Sequence, residues 1–141
     1  MFDPVAQGAM SAQVVEVSAS LTQLAHNLGR TFTDSITRDE QKAAGQFMTP
    51  PAIALFMARR LVSQTTQSHI RLLEPSAGGG ILVAAVVEAL LEKPERPATI
   101  EALLYEQDIR LIPSLSMLCQ RIKEVCENAG VHFDFIINCE D

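Results

Sequence analysis

A chain of 141 residues, 48% of them apolar, is enough for at most one ordinary domain with a modest core. Its 11 basic and 17 acidic side chains leave a net charge of −6. That balance argues against a free-standing nucleic-acid binder, because phosphate backbones are held by a basic face. The longest unbroken apolar run, Ile81–Val87, is too short to span a bilayer. The first residues lack the basic start and apolar core of a secretory signal, so a cytoplasmic protein is expected. Cys119, Cys126 and Cys139 have no Cys-x-x-Cys spacing and read as buried thiols rather than metal ligands or disulfides.

The first predicted element is a helix over Ser11–Leu28. Val14, Val17, Leu21, Leu24 and Leu28 recur at three- and four-residue steps, with Ser11 as N-cap and Gly29 as stop. Such a seam fits an arm packed on its own domain, or a helix that pairs with another subunit. Residues 31–46 are polar and read as a connector, with a helical turn from Asp34 or Ser35. The charge run Arg38–Lys42 is a solvated face.

Next comes Gly45-Gln46-Phe47-Met48-Thr49-Pro50-Pro51, then a periodic helix. Thr49 suits the N-cap and Pro50 the first helical position. Ile53, Phe56, Met57 and Leu61 are the expected buried stripe, with Arg59 and Arg60 at the end that favours cations. A polar loop leads to a first strand, Ile70–Leu73, followed by Glu74-Pro75-Ser76-Ala77-Gly78-Gly79-Gly80 and a helix from Ile81 that is apolar on nearly all sides. This is the strand–glycine loop–helix arrangement with which α/β proteins hold nucleotide-like ligands. The dinucleotide fingerprint fails at Val83, and the phosphate loop lacks its lysine.

Lys93–Pro97 makes a turn, and Thr99–Tyr105 is the second strand, ending in Glu106-Gln107-Asp108. An acid at that strand tip is either an ordinary solvated carboxylate or an acceptor for a ribose diol. A helix entered between Ile109 and Pro113, with Leu115, Leu118, Ile122 and Val125 on one face, stops at Gly130. His132–Asn138 is the third strand, followed by Cys139-Glu140-Asp141. His26, His69 and His132 have no ligand spacing, and no metal site is expected.

Taken together, these stretches resemble a known family. Glu74, Pro75, Gly78 and Gly80 occupy the defined places of motif I of S-adenosylmethionine-dependent methyltransferases, acid-Pro-x-x-Gly-x-Gly. Phe47, Met48, Thr49 and Pro50 resemble motif X of the enzymes that methylate DNA adenine. From Gly45 to Asp141 the order X, I, II, III is that of the gamma-type adenine-N6 DNA methyltransferases of restriction–modification systems. The resemblance implies S-adenosylmethionine as cofactor, with its methionine portion at Glu74, Pro75, Ser76, Ala77, Gly78 and Gly80. Phe47, Met48, Thr49 and Pro50 would close over it, Glu106 would take the ribose, and Asp141 the adenine amino group. The position after the motif II acid is usually apolar in the family. Here it is Gln107, with Ile109 as a candidate substitute on the adenine wall.

The family's catalytic signature, Asn/Asp-Pro-Pro-Tyr/Phe, binds a flipped-out adenine. It is expected beyond Asp141, so no catalytic residue is assigned and the chain alone is expected to be inactive. DNA would be a substrate of the complete enzyme. The expected organisation is a helical arm over residues 1–32 and a truncated cofactor-binding domain over 33–141. The fold is α/β, a partial Rossmann-like sheet of three parallel strands in the order 3-2-1 with flanking helices. The first strand would then be an open edge, and the helix from Ile81 would lose part of its cover. Self-association, or use of the amino-terminal helix as a lid, follows. Two other readings are a non-catalytic interaction module on a vestigial methyltransferase fold, and part of a protein-glutamine or RNA methyltransferase.

Overall fold

The computed structural model describes residues 20–139. Ser11, Val14, Val17 and Asp141 therefore lie outside the described residues. Three strands, β1 (His69–Glu74), β2 (Thr99–Tyr105) and β3 (His132–Asn138), form a parallel sheet in the order β1-β2-β3. The register sets Leu73 beside Leu103 and Leu103 beside Ile136.

The two crossovers are α4 (Ile81–Leu91) and α5 (Ile112–Asn128), the latter entered through a 3₁₀ turn at Ile109–Leu111. Two successive right-handed crossovers made in one direction place both helices on the same face. On that face Ile70, Ile100, Ala102, Leu104 and Phe133 are buried against Val87, Leu90, Leu115, Leu118 and Ile122.

Two more helices complete the layer. α1 (Leu21–Thr33) packs on α4, α5 and α3, and α3 (Pro51–Val62) packs on α4. The expected unbroken run and the stop of the first helix are corrected. Ser20 caps α1, accepting a hydrogen bond from the Gln23 N–H at 3.0 Å, and the helix continues through Gly29 to Thr33. Gly29 is an approach site rather than a terminator: a Cβ on Gly79 would come within 3.1 Å of its Cα. The amino end of α1 is held by α4. Glu88 Oε2 accepts from the Thr22 N–H at 3.0 Å and from Thr22 Oγ1 at 2.7 Å, which satisfies donors a helix start leaves free. Within the described residues, the part of the arm that forms α1 thus packs on α4, α5 and α3.

A short helix, α2 (Arg38–Ala43), starts later than Asp34 or Ser35. Its capping box pairs Thr37 with Glu40. Helix α3 begins one residue later than expected, with Pro50 at the N-cap and no side-chain cap, so Thr49 does not cap it. Its buried stripe is also corrected. Ala54, Ala58 and Val62 face α4, whereas Ile53, Phe56, Met57 and Leu61 are exposed, Phe56 by 65% and Leu61 by 67%. Small residues allow the two helix axes to approach, and that pushes the large ones outward. Lys93 binds the Val62 carbonyl at 2.9 Å and also the Thr65 carbonyl, closing the end of α3.

The opposite face of the sheet has no helix among the described residues. It presents Arg71, Glu101 and Asp134 in one row and Leu73, Leu103 and Ile136 in the next. Leu73 is 66% and Ile136 62% exposed. Beside the free edge of β1 runs an apolar trough of ≈ 670 Å³ between Met57, Leu61, Leu72, Leu82 and Val86. α4 itself is almost wholly covered by α1 and α3, with only Leu82 and Val86 half-buried at that trough.

Burial pushes the thiols of Cys119 and Cys126 up to about 12 and about 11. Cys139, expected to be buried, is exposed at the end of β3. Among the described residues no helix is long and apolar enough to cross a membrane.

Candidate functional site

The turn between β1 and α4 is shaped by glycines. Gly78 and Gly80 take left-handed backbone conformations, with φ of 54° and 78°. Gly80 also has no room for a side chain, since a Cβ would lie 2.6 Å from Leu118 Cδ2 and 2.8 Å from Leu115 Cδ1. Gly78 faces open space instead. The loop is tied to the second strand by the Ala77 N–H, which donates to the Tyr105 carbonyl at 2.8 Å.

That open space is a crevice of ≈ 670 Å³ at the carboxyl ends of the strands. Its size falls within the roughly 300–1,000 Å³ of small-molecule sites. One wall is Pro75–Gly79, the floor is Tyr105–Arg110, and the facing wall is residues 44–49. This is where open α/β sheets bind ligands.

Glu106 organises the crevice. Although charged, it is only 9% exposed, and both carboxylate oxygens are occupied by main-chain donors. Oε2 accepts from the Gly78 N–H at 2.7 Å and Oε1 from the Asp108 N–H at 2.8 Å. Its own N–H donates to the Asn138 carbonyl at 3.0 Å, fixing it to the tip of β3. A carboxylate has about four acceptor positions, so each oxygen retains capacity for a ligand hydroxyl.

Asp108 lies beside it. It accepts from Gln46 Nε2 at 2.9 Å and from Arg110 through Nε at 2.9 Å and Nη2 at 2.7 Å. The Arg110 guanidinium, followed by the Gln46 amide, holds the Asp108 carboxyl well below the usual carboxylate range. Arg110 in turn sits 5.3 Å from the centre of the Phe32 ring at the end of α1. The lining therefore has two carboxylates against one guanidinium that is already paired.

Nine of the expected contact residues share this crevice: Phe47, Met48, Thr49, Pro75, Ser76, Ala77, Gly78, Glu106 and Gln107. Ile109 lines it too, and Phe47 is 74% exposed there. Three others are not in the lining. Pro50 caps α3, Gly80 packs on α5, and Glu74 borders the apolar trough beside β1. The Glu74 carboxylate accepts the Ser76 N–H at 3.2 Å, and burial raises its pKa above the usual value. The sequence reading missed Gln46, Asp108 and Arg110. Asp108 was visible as the second acid of Glu106-Gln107-Asp108, but its pairing with a glutamine 62 residues away was not.

Chemically, the crevice favours a neutral or cationic ligand bearing hydroxyl groups. It is a poor anion cradle, because the amide that a phosphate would need, Gly78 N–H, is taken by a carboxylate. Among the described residues no group of histidine, cysteine and acidic side chains could hold a metal ion. Compared with models of protein families and with curated proteins, the chain matches none.

Proposed function

We propose that this chain is the S-adenosylmethionine-binding part of a gamma-type adenine-N6 DNA methyltransferase of a restriction–modification system. The single observation behind this reading is the Gly78 N–H to Glu106 bond at 2.7 Å, facing Phe47 across the crevice. It makes the glycine loop electronegative, which suits an adenosyl sulfonium and opposes a nucleoside phosphate. When bound, the cofactor supplies an already activated methyl group, so the protein's task is positioning. Glu106 is set to accept ribose hydroxyls, and Phe47, Met48 and Thr49 form the wall that excludes water. The Pro75–Gly79 backbone confines the other end, and the exposed Ile109 offers an apolar surface to the adenine ring.

The sheet face that no helix covers among the described residues supports the part-enzyme reading. A parallel sheet is ordinarily buried on both faces. A chain returning from β3 to the free edge of β1 by a right-handed crossover would cover Leu73, Leu103 and Ile136. DNA is then the substrate of the complete enzyme. The same exposed surfaces also fit a non-catalytic interaction module, and cofactor binding separates the two.

Calorimetric titration of the 141-residue chain with S-adenosylhomocysteine tests the reading. Binding is expected, weakened at least about tenfold by Glu106→Ala, the order of a lost charged hydrogen bond. ATP should not compete. Equal binding of ATP, or no binding of S-adenosylhomocysteine, overturns the proposal.

A further inference from the structure

The wall opposite the glycine loop is attached to the rest of the protein in an unusual way. Helix α2, which precedes it, buries no residue. Residues 44–49 are bonded chiefly to α2 itself: the Gln46 N–H donates to the Gln41 carbonyl at 3.0 Å, and Gln41 Nε2 donates back to the Gln46 carbonyl at 3.0 Å. Met48 rests on α1, where a Cβ on Gly29 would lie 3.0 Å from its sulfur. Among the described residues, one hydrogen bond leaves this strap for the sheet. It runs from Gln46 Nε2 to Asp108 Oδ2 at 2.9 Å.

That bond is made at a cost, because Gln46 Oε1 is buried with no hydrogen-bond partner. Asp108 meets the cost from a rigid base. Its carboxylate is 15% exposed and clamped by Arg110, while its N–H is fixed to Glu106. A continuous path therefore links Gly78, Glu106, Asp108 and Gln46, joining both walls of the crevice through its floor.

We infer that Asp108 is a positioning residue that latches residues 45–49 to Glu106, so that ligand capture at Glu106 and closure of the strap are one coupled event. The inference rests on the adenosyl reading of the crevice. A strap with no buried side chain in the helix before it and a single hydrogen bond to the sheet, beside the Met48 contact on α1, is tied to the ligand floor by that bond. Glu106, anchored through the same Asp108 N–H, is where the ligand's hydroxyls would arrive.

Two measurements on the chain with S-adenosylhomocysteine test the latch. In a double-mutant cycle, Asp108→Ala and Gln46→Ala should each weaken binding about tenfold. The double variant should be no weaker than the weaker single, and Asp108→Asn, which keeps an acceptor for Gln46, should recover part of the loss. Hydrogen exchange at saturating ligand should show residues 45–49 protected in the wild type and still exchanging in Asp108→Ala, with β1–β3 protection unchanged. Wild-type affinity and strap protection in Asp108→Ala overturn the latch alone. So does a loss of protection that spreads to the strands, which marks a general structural role. Absence of binding by the wild type overturns the adenosyl reading and the latch with it.

Discussion

The two faces of the sheet are built from the same strands in the same register, yet among the described residues one is a core and the other is bare. On the helix side Ile100, Leu104 and Phe133 have no exposure at all. On the other side, Leu73 and Ile136 are more than half exposed, in a row next to Arg71, Glu101 and Asp134. Alternation sends successive side chains to opposite faces, so a strand's composition records two environments. Here the second is a mixed surface, with the apolar row nearest the crevice. The same split occurs on α3, where alanines face the core and Phe56, Met57 and Leu61 face outward.

The sharpest way to break this comparison is to truncate one side chain on each face. Phe133→Ala should cost about 3–5 kcal/mol in urea unfolding, as a fully buried aromatic does. Ile136→Ala should change stability by less than about 0.5 kcal/mol, as surface changes do. A comparable loss at Ile136, growing with protein concentration, would mean that a second copy covers the bare face.

A smaller effect tests the layer that covers the other face. Glu88→Ala removes both hydrogen bonds that seat Thr22, which is fully buried. The expected loss is about 1.5–3 kcal/mol, the range for a charged hydrogen bond with a buried partner left unsatisfied. An unchanged unfolding midpoint would show that α1 is held by apolar packing alone.

The smallest effect lies at the open edge. Burial raises the Glu74 carboxyl pKa, so the folded state binds this proton more tightly than the unfolded state. Stability from this group is present below the usual carboxylate pKa and is lost as pH rises through the raised value. Glu74→Gln should therefore melt slightly above the wild type at neutral pH, with the gap closing under acid. A gap that widens under acid would contradict this environment for Glu74.

Much of the frame was legible in local sequence. β2 and β3 were delimited as they stand, because turn residues flank them and β-favouring residues fill them. The glycine loop and α4 were equally plain. Apart from the start of α2, the errors share one cause, which is that a residue's role was set by something distant. Gly29 looked like a stop, yet it is where Gly79 of the glycine loop approaches α1. On α3 two apolar stripes were present, and only the close contact with α4 chose the smaller residues for burial. The Thr37–Glu40 capping box was visible in the sequence as Thr-x-x-Glu and marks the true start of α2. Within the crevice the nine shared residues come from three separate stretches. The acid at position 74 had the family's spacing, but it ends a strand beside the trough.

The bond between Thr22 and Glu88 also orders events in time. The two residues are 66 positions apart, so on a ribosome the arm emerges well before the acid that seats it has been translated. Until then its free amides and the apolar faces of Leu21 and Ala25 have no berth, and docking must wait for the first crossover helix. A segment made early thus settles only once the first crossover helix has formed.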